Sequence, residues 1–406
     1  MKISVENSSK IYWITILSLL FIFFLAGLRF QIFAYFPKIS ILIILIGFAL
    51  LLKSGRLFFK DWYLFLAFIY LTDTLRGLIY YLVSKYQWPV YCEYVLKAEQ
   101  SIFRTVPSVW LQNKLLGDAQ FGLLEELVTF FHGTHFIAFL IIGFFIWLKD
   151  KENFRVYKLS FYLLMVMGIS LYALIPTAPP WMASNLFGLL PPLRHFNLEI
   201  YTAIIPDLTA GFNTDPVAAM PSLHAAFPFL CSLLLFKKYK FRAFPFYLYT
   251  AAIFFSIIYT GDHYVADIIA GIVLAITGFV LTNHLTKNYI SFAHQEKSSE
   301  SRLRKINIIA GTTLIVFSLV TGEIIKPELK KYYAEYSHLK FPDFINHSEK
   351  ADSNYLIAVY LGDFEANQHN IGKASYYYKK AQTLAKTTYE KNQIKMKINR
   401  LRLSSF

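Results

Sequence analysis

The stretch VAAMPSLHAAFPFL, Val217 to Leu230, is apolar enough to begin a membrane helix, yet it contains Pro221-Ser222 and carries His224 near its start. An ionisable imidazole is unfavourable inside a bilayer, so a histidine at this place calls for a function. The rest of the chain has the same character: of 406 residues, 56% are hydrophobic, 18% are aromatic and only 16% are charged. Such a composition excludes an ordinary soluble domain and reads as a membrane protein. The formal net charge of +14 does not point to nucleic acid, because Lys and Arg fall in short clusters between long apolar runs. Cys92 and Cys231 are the only cysteines, and the span assignment puts them at different depths, which argues against a disulfide.

Runs long enough to cross a hydrocarbon core of about 30 Å recur along the chain. They predict nine spans, beginning near Ile11, Ile39, Trp62, Leu127, Leu159, Val217, Ala243, Tyr264 and Ile306. The first, IYWITILSLLFIFFLAGL, lacks a small-residue cleavage site and reads as an anchor rather than a secretory signal. The second has only 14 uncharged residues, a length that also fits a re-entrant helix. Alternating loops along this assignment carry sixteen Lys and Arg on one side and six on the other. The richer side is read as cytoplasmic, which puts the amino terminus inside. The loop Pro176–Asp215, the turn YTGDHY and a charged tail beginning near Lys326 then fall on the exoplasmic side.

A second histidine stands in a similar setting, in SIIYTGDHYVADIIAG, where His263 is followed four residues later by Asp267. On a helix that spacing stacks two side chains on one face. A carboxylate so placed fixes the imidazole tautomer and leaves the other ring nitrogen as base or nucleophile. His224 is expected at the same level, so that two histidines and an aspartate converge on one pocket. Pro221 suits the first turn of a helix, whose free N–H groups, with the Ser222 hydroxyl, would make an anion site. A phosphate on that turn would be attacked by His263, with Asp267 supporting the imidazolium and His224 as general acid and base.

PSLH, followed about forty residues later by HYVAD, resembles the PSxH and HxxxD motifs of the type 2 phosphatidic acid phosphatase superfamily. The resemblance covers roughly Leu171–Leu281. It implies an all-α polytopic membrane protein with a phosphatidic acid phosphatase-type helical core, no metal or other cofactor, a phosphohistidine at His263 and acid/base work by His224. The family's first motif, KxxxxxxRP, has no counterpart here, and the Arg of that pattern six residues before the second histidine is Ile257. IPTAPPW, Ile175 to Trp181, and GFNTDPVAAMPSLH instead look like the inositol phosphorylceramide synthase branch, which transfers a phosphorylated headgroup between lipids. Thr177 and Trp181 become candidate substrate contacts on that ground. The division expected is 1–120 for amino-terminal spans and an exoplasmic loop, 121–290 for the catalytic membrane core, 291–325 for a last span and 326–406 for a small helical soluble tail.

Arg76 lies inside the third span in YLTDTLRGLIYY, with Asp73 one turn earlier. It is either a phosphate-binding cation replacing the missing ones or the partner of Asp73 in a satisfied pair. FFHGTHF places His132 and His135 three apart; that spacing can bind zinc, but without a further ligand motif a polar lining for a headgroup, with His135 as the contact, or mere helix contact is preferred. Arg29 is expected to snorkel. In the tail, YLGDFEANQHNIGKASYYYKKAQTLA resembles one tetratricopeptide repeat and reads equally well as an amphipathic helical hairpin. Either would serve to attach a protein partner. The expected substrates are membrane lipids. Competing readings are a lipid phosphate or pyrophosphate phosphatase with water as acceptor, an intramembrane serine hydrolase using Ser222, and a non-catalytic scaffold or transporter.

Overall fold

A computed structural model describes residues 47, 54–116, 121–185, 189–191, 193–197, 200, 215–293, 300–334, 355–367, 370–385 and 388–403. The spans expected from Ile11 and Ile39 lie outside these residues, as does Arg29. What is described is helical, without a named strand. The helices are α1 (Gly55–Tyr86), α2 (Glu93–Phe103), α3 (Pro107–Leu115), α4 (Leu123–Lys149), α5 (Lys151–Leu174), α6 (Pro180–Asn185), α7 (Leu223–Tyr239), α8 (Phe244–Tyr259), α9 (Val265–Ala293), α10 (Glu300–Ala334), α11 (Tyr355–Asn367), α12 (Ile371–Leu384) and α13 (Thr388–Leu403).

Among the described residues, four helical stretches are long and apolar enough to cross a membrane, Leu57–Lys85, Lys151–Leu174, Leu223–Tyr259 and Val265–Thr286. The bent pair Leu123–His135 and Ile137–Lys149 in α4 would make a fifth. Leu223–Tyr259 is folded back on itself: Phe229 meets Phe254, Ser232 bonds Thr250 at 2.9 Å and Phe236 meets Tyr247, so α7 and α8 are antiparallel legs. At 17 and 16 residues, each leg rises about 25 Å, a little less than a hydrocarbon core. The span expected from Ile306 corresponds to a 16-residue apolar section, Asn307–Gly322, inside the longer α10. Of the nine expected, two lie outside the described residues, those expected from Val217 and Ala243 are the two legs of the hairpin, and the one expected from Ile306 is the short apolar section.

The bundle is closed at one end by aromatic packing together with polar staples. Trp62, Phe144, Trp147, Phe154 and Phe161 are fully buried between α1, α4 and α5. At the same end Trp147 Nε1 donates to Asp61 Oδ2 at 2.7 Å and Lys158 Nζ to the Asp61 carbonyl at 2.6 Å. Asp150 caps α5, accepting from Asn153 N at 3.0 Å, and is bound by Lys238 at 2.7 Å. α10 lies along α1, where the Tyr63 hydroxyl bonds Thr312 at 2.9 Å. The outer face of α9 leaves Ile269, Val273, Ile276 and Val280 exposed, an apolar stripe at helical spacing suited to lipid.

At the opposite end the IPTAPPW segment forms the middle rung of a three-segment bridge. Thr177 pairs in parallel with Tyr91 on one side and Ala218 on the other. Tyr91 N donates to Pro176 O and Ala178 N to Tyr91 O, both at 2.8 Å, while Thr177 N donates to Val217 O at 2.6 Å and Ala219 N to Thr177 O at 3.1 Å. The residues entering PSLH are thereby fixed by backbone hydrogen bonds rather than by side chains. In the tail, α11 and α12 pack as a hairpin in which the Tyr378 ring lies against Gly362, with Ala358, Ala374 and Ala381 fully buried.

Candidate active site

Two histidines meet where the amino ends of α7 and α9 converge. Ser222 is the N-cap of α7, its hydroxyl accepting from Ala225 N at 3.2 Å. His224 is therefore the second helical residue, and Pro221 stands outside the helix, its carbonyl accepting from the Tyr172 hydroxyl at 2.8 Å. This corrects the sequence expectation of Pro221 in the first turn. Ser222 N is also occupied, donating to the Asp267 carbonyl at 2.9 Å. Ser222 is fully buried and reads as a structural cap rather than a wall of the cavity.

His263 lies in the irregular turn before α9, which begins at Val265. The pairing with Asp267 does not come from stacking on a helix face, as the spacing suggested. Asp267 instead reaches back over the helix amino terminus: its Oδ2 accepts from Tyr264 N at 2.8 Å and lies 3.4 Å from His263 Nδ1. The nearer acceptor for His263 Nδ1 is the Ala219 carbonyl at 2.9 Å. A carbonyl only accepts, so this bond assigns the proton to Nδ1 and leaves Nε2 with its lone pair. His224 Nδ1 stands 2.7 Å from that Nε2 and by the same logic is the donor. The geometry sets an unprotonated nitrogen of His263 against a protonated nitrogen of His224.

A partly open cavity lies against this pair. Its polar wall is His224, His263, His135, Tyr172 and, from α1, Asp73 and Arg76. Arg76 Nε has no hydrogen-bond partner among the described residues, and Nη1 is 4.0 Å from Asp73 Oδ1, the outer limit of an ion pair. The cation expected at residue 257 is absent in space as well as in sequence: Ile257 is fully buried with Ala225, Ile253 and Ile268. Its backbone carbonyl accepts from Asp262 N and His263 N at 3.1 and 3.0 Å.

His135 reaches the cavity with its ring centroid 4.1 Å from that of His224. His132 faces another cluster, with Nε2 3.3 Å from Asp262 Oδ2. Asp262 also accepts from Asn197 Nδ2 at 2.9 Å and Thr260 Oγ1 at 2.5 Å, and its Oδ1 is 2.8 Å from His195 Nε2. Burial alone would raise the Asp262 carboxyl, but His195 and then His132 outweigh it and hold the group well below the usual carboxylate range. The His195 ring stacks on Trp181 at 4.8 Å, and Trp181 N donates to Gly261 O at 3.0 Å. Thr177 and Trp181 therefore brace the turn bearing His263 and do not line the cavity; the Thr177 hydroxyl is engaged with Ile175 O and the Tyr94 hydroxyl, both at 3.0 Å.

The sequence reading passed over Asp262, His195 and Glu99. Asp262 had a visible signal, a charge adjoining His263 in an apolar surround. Glu99 had none: from α2 its Oε1 accepts Val265 N at 2.5 Å and Ala266 N at 3.3 Å, supplying from 166 residues away a cap for the amino terminus of α9.

Residues 94–281 match the PAP2 superfamily. The match covers a little under half of the chain. The chain is similar to the inositol phosphorylceramide synthase catalytic subunit of Schizosaccharomyces pombe, 28% identical over 187 residues, 43% of each chain. It is also similar to the phosphoinositol dihydroceramide synthase of Bacteroides thetaiotaomicron, 31% identical over 144 residues, 32% of this chain and 46% of that one. The inositol phosphorylceramide synthase of Candida albicans is 28% identical over 187 residues, 41% of this chain and 38% of its own. The chain thus spans less than half the length of each of these relatives. No solved structure matches it. His224, His263 and Asp267 fall within the PAP2 segment, whereas Asp73 and Arg76 fall before it.

Proposed function

We propose that this chain is an integral-membrane phosphotransferase that moves a phosphoinositol group from a lipid phosphodiester to a ceramide-type acceptor at the exoplasmic face. The observation that carries the reading is the 2.7 Å contact between His224 Nδ1 and His263 Nε2 on the wall of a cavity shared with Arg76. The names of the relatives supply the headgroup and acceptor class, and the excess of Lys and Arg in the opposite loops supports the side.

In the first half-reaction the donor phosphodiester displaces the His224–His263 hydrogen bond, with Arg76 balancing its charge. His263 Nε2 attacks phosphorus; an N–P bond forms, the P–O bond to the lipid alcohol breaks, and His224, entering as the imidazolium and left as the neutral imidazole, gives its Nδ1 proton to the departing oxygen. The positive charge on His263 is met by Asp267 and by the Ala219 carbonyl at Nδ1. In the second half the acceptor hydroxyl gives its proton to His224, its oxygen attacks phosphorus and the N–P bond breaks. The proton borrowed in the first half is returned in the second. Transfer between two alcohols therefore needs no proton exchange with water.

The test is incubation of the purified protein and its His263→Ala variant with labelled phospholipids, with and without ceramide. A new phosphodiester lipid that depends on ceramide and on His263, with an acid-labile label on the wild-type chain in the absence of acceptor, is the expected result. Water-soluble phosphate products alone would move the chain to hydrolysis, and identical products from the variant would remove His263 from the chemistry.

A further inference from the structure

Resting on that reading, we propose that Glu99 is a positioning residue for the nucleophile: by occupying the first N–H groups of α9 it leaves the Asp267 carboxylate to His263. The assignment joins α2 to the chemistry, although Glu99 is not among the residues lining the cavity.

The first turn of an α-helix carries backbone N–H groups that have no acceptor inside the helix, and a carboxylate nearby is drawn to them. α9 begins at Val265, so Asp267 is its third residue and within reach of that turn. His263 therefore competes with the backbone for Asp267. The competition is visible at Asp267 Oδ2, which accepts from Tyr264 N at 2.8 Å and stands 3.4 Å from His263 Nδ1. Were Val265 N and Ala266 N also open, the same carboxylate would be pulled along the helix and away from the imidazole. Asp267 Oδ1 has no hydrogen-bond partner among the described residues, so that oxygen gives the group no hold against such a turn.

Glu99 closes both donors. Its Oε1 accepts from Val265 N at 2.5 Å and from Ala266 N at 3.3 Å. Three consecutive N–H groups are thus divided, the first to Asp267 and the next two to Glu99. Both side chains are buried, so a donor vacated by Glu99 has little water to turn to, and Asp267 is an acceptor already in that turn. The role needs an acceptor rather than a charge, since the carbonyl oxygen of a protonated carboxyl or of an amide serves equally. It also acts on the reacting nitrogen and not on lipid binding, because the cavity wall itself is left unaltered.

The test compares full-length wild type, Glu99→Ala, Glu99→Gln, Asp267→Asn and the double variant Glu99→Ala/Asp267→Asn, with kcat and donor KM measured on folded protein. Glu99→Ala is expected to lower kcat by about 10–10²-fold, as for a reacting group displaced by up to about 1 Å. Donor KM should change by less than about threefold, and Glu99→Gln should stay within about threefold of wild type in kcat. In the Asp267→Asn background Glu99→Ala should cost less than about threefold, because the residue it acts through is gone. A folded Glu99→Ala protein that loses stability but keeps its kcat overturns the proposal, as do losses that multiply in the double variant or a Gln variant as slow as the Ala one. Should Glu99→Ala fail to fold, Glu99→Asp, whose acceptor is withdrawn by one methylene, decides in its place, and a wild-type kcat there overturns the proposal. Failure of the transferase reading is seen in the wild type alone, as water-soluble phosphate products without a new phosphodiester lipid; the same proteins then report on Glu99 through hydrolysis, which uses the same nucleophile.

Discussion

Gly271 of α9 lies directly beneath the Ser222 carbonyl, so close that a methyl group on Gly271 would stand 2.4 Å from that oxygen. The obstacle is backbone, and Ser222 N is held to the Asp267 carbonyl at 2.9 Å, so the turn cannot swing aside alone. Gly271→Ala is expected to separate the amino ends of α7 and α9 and lengthen the His224–His263 contact. A displacement of about 1 Å at a reacting pair lowers turnover by roughly 10²-fold. Gly278→Ala on the same helix, where an added Cβ meets nothing nearer than 3.6 Å, should retain activity. Equal losses in both variants would count against the close approach as the cause.

His224→Gln should be most harmful where the departing oxygen needs a proton. For a lipid donor the loss is expected at about 10²–10⁴-fold. For an aryl phosphodiester, whose leaving group departs without protonation, it should shrink by at least about tenfold. Comparison of kcat for the two donors in wild type and variant measures this, and an equal loss for both would deny His224 the role of acid.

Glu99 makes stability depend on pH in an unusual direction. Burial pushes its carboxyl up to about 7 from 4.5, against the pull of the Val265 and Ala266 N–H groups, and burial likewise takes Asp215 to about 7 from 3.8. A group whose folded value is raised contributes stability that is complete below its unfolded value and is lost as pH rises through the folded one. Tm in detergent should therefore fall between about pH 4.5 and 7, and Glu99→Gln should flatten part of that slope, leaving the share of Asp215. An unaltered slope in the variant would show that Glu99 titrates normally.

Asp262→Asn should weaken the turn rather than the chemistry. The carboxylate gathers His132, His195, Asn197 and Thr260, and its value is held low chiefly by His195 against burial, so its contribution is present above about pH 4 and lost in acid. Removing the charge from such a buried group is expected to destabilise by about 3 kcal/mol. Chemical denaturation of the two proteins at neutral pH and again in acid checks this, the difference between them narrowing in acid.

The helical membrane architecture was legible because apolar runs and loop charge are local properties of a chain. The two histidines were legible because PSLH and HYVAD put unusual side chains at helix starts. What local spacing missed was long-range completion. His263 was expected to face Asp267 on a helical surface, yet its turn precedes α9 and its closest acceptor is the carbonyl of Ala219, a backbone atom that no side-chain pattern announces. Thr177 and Trp181 looked like substrate contacts, but the PTAPPW segment does its work through N–H and C=O groups shared with Tyr91, Val217, Ala219 and Gly261. The fold-back of Leu223–Tyr259 was legible, since the spans expected from Val217 and Ala243 are separated by the basic run Lys237, Lys238, Lys240 and Arg242.

The pairing of Thr177 with Tyr91 sets a lower limit on how little of this chain can work by itself. The PAP2 match starts at residue 94, three positions after the edge residue that holds the PTAPPW segment and well after Arg76. A fragment trimmed to the match would keep His224 and His263 and still lose the outer rung that steadies Ala219, and with it the carbonyl that sets the His263 tautomer. Transplanting the chemistry into another protein would thus require the upstream helix and the segment around Tyr91 to travel with the motifs, making heritable modularity here larger than the recognisable match.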